Sequence, residues 1–334
     1  MRASLLLLVA VTSVSTLASP DAGAPEALKL HSLPLLPSAP GRIGMDYLGY
    51  EASTNQVWVP GANTGRVFVV DADTESIRTV EGFPTLQRDG RVLGPTSVTF
   101  SPSQAFIGNR GDNTVCAVDL HTLVRGPCVP VGDVPDGLAY VTATDEVWVT
   151  TPRTKSLVVL AAKPLSVSGH IALDGAPEGY AVDAARGRFY TSLEDRDETL
   201  ALDVRTHAVA ERWPTGCGAD GPRGMALDAA TSVLVVACVE RLVSFSLLPT
   251  PAPKGSLPTG AGVDNIAIAT RLSTVFAAAG KAETLTRARL ERDGTLRATG
   301  TAHTAPGVRV VVATASGKAF AADLAEGRLW VVAP

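Results

Sequence analysis

One short pattern returns along the chain at an almost constant spacing. Its clearest copy opens with the turn Pro135, Asp136 and Gly137, continues as an apolar strand over residues 138–140, and reaches a second strand at residues 147–150 after a polar turn. The copies are marked by the polar residue of the opening turn: Thr96, Asp136, Glu178, Arg223, Asp264 and Arg309. The steps between these markers are 40, 42, 45, 41 and 45 residues. A period of this length with four short strands per unit predicts the blades of a β-propeller.

The two ends of the chain complete the repeat. A first copy begins near residues 42–47 and is lengthened by an insertion near residues 87–94, whereas the last copy, residues 309–334, is long enough for only three strands. Residues 28–33 alternate between apolar and polar side chains, as a strand does. Pairing this strand with the last copy closes the ring and removes exposed sheet edges. We therefore predict an all-β fold, a single seven-bladed β-propeller over residues 27–334, closed by the N-terminal strand in the last blade.

Side-chain size within the repeat favours a ring over a sandwich. The first strand of several copies has a small residue at its centre, as expected where inner strands converge: Thr99, Ala139, Ala181, Ala226 and Ala267. The second strand carries bulky aromatic residues: Trp58, Trp148, Phe189 and Tyr190. Their repeated position and β-branched neighbours favour packing between sheets. A stacking platform for sugars or bases is the alternative.

Residues 105–119, Ala-Phe-Ile-Gly-Asn-Arg-Gly-Asp-Asn-Thr-Val-Cys-Ala-Val-Asp, resemble the YVTN-type β-propeller repeat. In that repeat a strand ending in a small residue and Asn leads, through a turn and Asn-Thr-Val, into a strand closed by Asp. Residues 57–71 match it more loosely, and later copies depart from it, because Ser246 and Leu290 replace the closing Asp. The resemblance implies a propeller scaffold of the kind that binds proteins or ligands and that some enzymes also use.

The first residues are typical of a secretory signal peptide. Arg2 supplies the positive charge, residues 5–14 form a short apolar segment, and small residues precede a cleavage site that we place after Ala18. The apolar segment is shorter than the ~20 residues that a spanning helix needs, which argues against a membrane anchor. We predict a signal peptide at residues 1–18, a flexible leader at residues 19–26, and a periplasmic or secreted protein.

Four cysteines in an exported chain allow three pairings. Cys116 and Cys128 flank two strands around a turn, which places them opposite each other on a hairpin. Cys217 lies before one copy of the repeat and Cys238 ends the second strand of that copy. We therefore predict the disulfides Cys116–Cys128 and Cys217–Cys238. Cys-x-x-Cys motifs are absent from the sequence, which excludes a thioredoxin-like redox motif and covalent haem attachment.

The charge balance limits the class of partner. The formal net charge is -4, and acidic and basic residues are interspersed along the chain rather than collected in a basic stripe. Recognition of a phosphate backbone needs such a stripe. We therefore do not expect nucleic acid as a partner. We predict instead that the protein is a monomer and binds a protein or a polar small ligand.

The marker residues begin the innermost strands, so we expect them to form a ring at one mouth of the central channel. Acids and bases converge there: Arg42, Asp136, Glu178, Arg223, Asp264 and Arg309, with Thr96 at the remaining position. Asp46 is expected inside the channel, at the small-residue position of the first copy. These charges would either neutralise one another around a water-filled funnel or bind a polar ligand or a metal ion.

The histidines are expected away from this mouth. They fall on outer strands or in turns of the opposite face: His31, His170, His303, His121 and His207. With the cysteines expected in disulfides, a hydrolase built on a Ser-His-Asp or Cys-His site is disfavoured. We predict a non-catalytic exported scaffold, without a cofactor, that binds a protein or polar ligand at the mouth.

The alternative is a metal-dependent hydrolase or lactonase, as in the calcium-dependent lactonases of the gluconolactonase family, which are also propellers. A divalent cation such as calcium would polarise a carbonyl, and Arg223 or Arg309 would stabilise the developing oxyanion. The available ligands are Asp46, Asp136, Glu178, Asp264 and Asn265. Their spacing matches no established ligand motif.

Overall fold

Seven sheets surround one channel in a computed structural model that describes residues 24–37 and 41–334. Within these residues each of the seven sheets contains a blade of four antiparallel strands, which we name A to D from the channel outward, and the sheet of blade 6 has a fifth strand at its outer edge. Strand A of each blade contacts strand A of the next, and blade 7 contacts blade 1, so the ring is closed. The predicted all-β, seven-bladed propeller is confirmed. The predicted signal peptide, residues 1–18, lies outside the described residues.

Each blade contributes one strand to each of the four layers, in the order of blades 1 to 7. Strands A are Gly49–Glu51, Pro95–Phe100, Leu138–Val141, Pro177–Asp183, Pro222–Asp228, Val263–Ala269 and Val311–Ala313. Strands B are Gln56–Gly61, Gln104–Asn109, Glu146–Thr151, Arg188–Leu193, Val233–Cys238, Thr274–Ala279 and Ala319–Asp323. Strands C are Arg66–Asp71, Thr114–Asp119, Ser156–Ala162, Glu198–Asp203, Arg241–Ser246, Thr284–Leu290 and Arg328–Val332. Strands D are Ile77–Val80, Arg125–Pro130, Leu165–Ala172, Val209–Pro214, Ala252–Pro258, Leu296–His303 and Leu30–Pro34.

The antiparallel order gives the propeller two different faces. The B–C turns and the connections from strand D to the next strand A share one face, which we call the mouth face. The A–B and C–D turns share the other, which we call the far face. The insertion between blades 1 and 2 is a hairpin on the mouth face, formed by Leu86–Arg88 and Arg91–Leu93. Short 3-10 helices occupy three of the turns: Ala62–Thr64, Pro152–Thr154 and Thr270–Leu272.

The N-terminal segment joins the last two blades. Leu30–Pro34 pairs antiparallel with Arg328–Val332 as strand D of blade 7, with Ser32 opposite Trp330. Upstream of it, Glu26–Ala27 forms a short strand parallel to Leu296–His303 of blade 6. Glu26 lies in a sheet because the outer strand of blade 6 offers it a hydrogen-bonding edge. The sequence predicts instead that residue 26 ends a flexible leader.

Small residues on strand A lie opposite bulky residues on strand B. Ala139 of strand A lies directly opposite Trp148 of strand B, and Ala181 lies opposite Tyr190. Trp58 and Trp148 are fully buried between neighbouring blades. The narrow centre of the ring admits small side chains, whereas the wider layer at strand B needs large ones. These aromatics are core residues, as predicted, rather than a stacking platform.

Both predicted disulfides are present. Cys116–Cys128 joins strands C and D of blade 2 at directly opposite positions. Cys217–Cys238 joins the loop before blade 5 to the end of its strand B. Among the described residues, the helices are too short to cross a membrane.

Candidate functional site

The mouth face brings the predicted charged residues together, since Asp136, Glu178 and Asp264 all lie at or just before the start of a strand A. Arg42 is exposed and takes part in none of the ion pairs that the described residues form. Thr96 is buried at the beginning of strand A of blade 2. The mouth face therefore brings Asp136, Glu178 and Asp264 together, whereas Arg42 is exposed and forms no ion pair with another described residue.

Arg110 is the centre of one half of the ring and was missed by the sequence analysis. It follows strand B of blade 2, in a B–C turn on the mouth face. Its Nη2 lies 2.8 Å from Oδ2 of Asp46 and also contacts Asp136, and its Nε donates to the carbonyl of Pro135 at 3.1 Å. Burial lowers the pKa of Arg110, but the carboxylates of Asp46 and Asp136 outweigh burial and raise that pKa. Asp46 is thus paired inside the channel, which removes the cost of a lone buried carboxylate.

Tyr47 connects the acids of two blades. Its hydroxyl donates to Oδ2 of Asp136 at 3.2 Å and lies 3.5 Å from Oε1 of Glu178. Burial, reinforced by those two carboxyls, raises the pKa of Tyr47 well above its ordinary value. The Tyr47 ring lies 5.7 Å from the ring of Tyr180, centroid to centroid. Both tyrosines line a smaller cavity of about 180 Å³ deeper in the channel. Tyr47 therefore contacts the acids of the ring and also lines this second cavity.

Glu178 has the most perturbed carboxyl of the ring. Burial raises the pKa of Glu178 to about 9, and repulsion from Asp136 and Asp264 adds to the shift. Within the described residues it takes part in no ion pair. At neutral pH the Glu178 carboxyl is therefore protonated, and it is available to a ligand as a hydrogen-bond donor or, after losing its proton, as an anion.

Two further ion pairs complete the ring. Nε of Arg309 lies 3.1 Å from Oδ2 of Asp264. Arg223 pairs with Glu194, a B–C turn residue of blade 4 that the sequence analysis did not select, and its Nη2 donates to the carbonyl of Asp220 at 3.2 Å. Burial raises the pKa of Asp264, against the opposing effect of Arg309. Burial likewise raises the pKa of Asp136 to about 6, although Arg110 opposes it.

A cavity of about 620 Å³ opens at this ring, which we call the mouth cavity. The inserted hairpin lines it with Arg88 and Arg91, and the turn Pro152–Thr154 lines it with Arg153; all three arginines are exposed. Four half-buried residues of the charged ring form its base: Arg110, Asp136, Glu178 and Glu194. A volume of this size is typical of small-ligand sites. Its walls are basic at the rim and predominantly acidic at the base.

The other predicted groups lie elsewhere. His31, His170 and His303 lie on strands D, and His121 and His207 lie in far-face turns. In the part of the chain that the structure describes, histidine, cysteine and carboxylate side chains form no group of three placed to hold a metal ion. The carboxylates of Asp119 and Asp203 accept backbone N–H groups of their own turns, as residues that form turns do.

Comparison with known proteins identifies the fold class. No protein-family model and no curated protein sequence matches the chain. Solved structures match over nearly its whole length. The U3-55K structure is 10% identical, covers 93% of this chain and 100% of its own, and has a TM-score of 0.74. A chain of the mitotic checkpoint complex is 13% identical, with 98% and 99% coverage and a TM-score of 0.71.

Streptogramin B lyase is similar to the same degree. It is 12% identical, covers 92% of this chain and 97% of its own, and has a TM-score of 0.71. At such identities the likeness establishes the architecture alone. The chain is therefore a seven-bladed β-propeller, a scaffold shared by proteins with different functions.

Proposed function

We propose that this protein is an exported, non-catalytic β-propeller of the YVTN type that binds a polar ligand in the mouth cavity. The observation that carries the proposal is the cavity itself. It combines a volume of about 620 Å³ with four arginines and four acids among its lining residues. Convergent polar groups in a concave site are the usual basis of ligand recognition. A protein that inserts one polar side chain into the cavity would use the same contacts.

Export has separate support. Two disulfides join residues that are 12 and 21 positions apart in sequence. Disulfides of this structural kind form and persist in oxidising compartments. Together with the N-terminal signal pattern, they favour the periplasm or the extracellular medium. N-terminal sequencing of the exported protein tests this part of the proposal, with Ser19 expected as the first residue.

A thermal-shift screen tests the binding. The purified protein would be heated with single organic acids, amines, amino acids and sugars. A ligand present at tenfold its dissociation constant stabilises the folded state by about 1.4 kcal/mol, which raises the melting temperature by roughly 2 °C in a chain of this size. Val134→Trp fills the mouth cavity, because Val134 lines it, and should abolish the rise.

The matched control is Val209→Trp, since Val209 is exposed on an outer strand D. This variant should retain the rise in melting temperature. Ligands that stabilise both variants equally would place the binding elsewhere and contradict the proposal.

A metal-dependent hydrolase is the second candidate function, favoured by the crowding of acids. Asp136 and Glu178 both approach the Tyr47 hydroxyl, and Asp136 raises the pKa of Glu178, so a divalent cation at that position would remove their repulsion. In that case calcium should raise the melting temperature with the logarithm of its concentration. Asp136→Ala should remove the effect. A constant melting temperature up to ~10 mM calcium would eliminate this candidate.

A further inference from the structure

The charges of the mouth cavity are arranged in two layers of opposite sign. Arg88, Arg91 and Arg153 are exposed residues of its lining and form the rim, together with the exposed Asp89. Among the described residues, Arg91 and Arg153 take part in no ion pair, and Arg88 has only its neighbour Asp89, at 3.6 Å. Guanidinium groups without a protein partner retain their capacity for paired hydrogen bonds to a carboxylate or phosphate.

The base of the cavity and the ring around it contain more acids than bases. Asp136, Glu178 and Glu194 line the cavity, and Asp46 and Asp264 belong to the same ring without lining it. Three arginines, Arg110, Arg223 and Arg309, pair with all of these except Glu178. The carboxyl of Glu178 lines the cavity, and a cationic group placed beside it would favour the loss of its proton and pair with the resulting carboxylate.

We propose that the ligand is a small dipolar molecule, with an ammonium or guanidinium group that enters the base of the cavity beside Glu178 and a carboxylate or phosphate group that binds between Arg91 and Arg153. This inference rests on the proposed function, because it names the chemical class of ligand for the same cavity. A space of 620 Å³ is on the order of 8 Å across, which suits a chain of a few methylene groups between the two charges.

Ligands with a single charge fit this arrangement less well. An anion can pair with the rim arginines but meets the excess of acids at the base, and a cation can pair with ionised Glu178 but leaves the rim arginines unpaired and is repelled by them. A dipolar ligand meets an opposite charge at each end, so complementarity and repulsion act together to select it.

Calorimetric titration with three probes of equal length tests the inference: 6-aminohexanoate, hexanoate and hexylammonium. The dipolar probe is expected to bind at least ~10-fold more tightly than either single-charge probe. Arg153→Ala should reduce its affinity to that of hexylammonium, and Glu178→Gln should reduce it to that of hexanoate. Arg153 is exposed in a surface turn, so its replacement leaves the fold intact.

The controls are Arg292→Ala and Glu211→Gln, which alter exposed residues on the far face and on an outer strand. Both should bind 6-aminohexanoate as the unaltered protein does. Equal affinity for a single-charge probe, or no binding of any probe up to ~10 mM, would overturn the inference. In that case, if the thermal-shift screen yields ligands whose stabilising effect Val134→Trp abolishes, the proposed function stands and only the dipolar class of ligand is wrong. If the screen yields no such ligand, the proposed function and the dipolar class are both wrong.

Discussion

Arg110 shows how a single side chain organises the mouth. Its side chain is 21% exposed, and its partners Asp46 and Asp136 are 18% and 15% exposed. Charges removed from water to this degree depend on one another, because each carries a desolvation cost that only its partner offsets. The arginine therefore holds two carboxylates of blades 1 and 3 in place from a turn of blade 2.

Replacing this arginine should destabilise the fold strongly. Arg110→Met leaves two carboxylates without their counter-charge, and we expect the free energy of unfolding in urea to fall by about 2 to 3 kcal/mol. Adding Asp46→Asn and Asp136→Asn should recover most of the loss. As a control, Arg212→Met breaks exposed pairs with Asp174 and Glu198 and should cost less than about 1 kcal/mol. Equal losses in the two variants would show that Arg110 has no special role.

Glu178 should make the free energy of unfolding fall as the pH rises. Its pKa is about 9 in the folded protein, against an ordinary value of 4.5. Between these values the folded state holds a proton that the unfolded state has lost, so stability falls as pH rises and levels off above pH 9. The acids that face it are Asp46, Asp136, Glu194 and Asp264.

Glu178→Gln removes this proton equilibrium. Near pH 5 the variant should match the unaltered protein, because the glutamate is then protonated in the folded state. Its advantage in the free energy of unfolding should grow by up to about 1.4 kcal/mol for each pH unit toward pH 9. Urea titrations across this range measure the difference, with the exposed Glu211→Gln as control. A difference that stays constant with pH would contradict the assignment.

At the scale of elements, the seam between blades 7 and 1 has its own clamp. Glu75 lies in the C–D turn of blade 1. Its carboxylate accepts from Nζ of Lys318 at 2.6 Å and lies 2.8 Å from Nε2 of His31. Lys318 also donates to the carbonyl of Ala72 at 2.8 Å. The clamp thus joins a turn of blade 1 to strand D and the A–B turn of blade 7.

The clamp should behave as one unit in a double-mutant cycle. Glu75→Gln and Lys318→Met should each lower the free energy of unfolding by about 1 to 2 kcal/mol, since Lys318 is only 15% exposed. The double variant should lose much less than the sum, because the two residues share one interaction. Strict additivity would show that they act independently.

For the whole molecule, we expect stability to depend on the pairing of the N-terminal segment with blade 7. Without Leu30–Pro34, strand Arg328–Val332 becomes an unpaired edge, and such edges promote association with other chains. A chain that starts at residue 35 should melt at a lower temperature and elute as oligomers in size-exclusion chromatography. A chain that starts at residue 24 keeps both N-terminal strands and should remain a monomer. Identical behaviour of the two truncations would show that the segment does not close the ring.

The seven blades and the disulfides could be predicted because they depend on local sequence. A strand needs only a few alternating residues, and a turn needs only the residues that favour it. Cys116 and Cys128 lie in one hairpin, so strand pairing alone places them at directly opposite positions. The marker residues were found for the same reason, since Asp136 and Glu178 occupy equivalent places in consecutive copies.

The contacts within the mouth were decided by ring closure. Arg110 and Asp46 are 64 positions apart, and Tyr47 and Asp136 are 89 apart, so the local pattern does not show which side chains meet. Arg42 shows the same limit, because the repeat predicts it as a member of the ring, yet its side chain is exposed and forms no ion pair among the described residues. The sequence by itself determined the repeating unit, since strand and turn preferences act over a few residues. Only the tertiary structure decided the charge pairs, because these form where turns of separate blades converge on one axis.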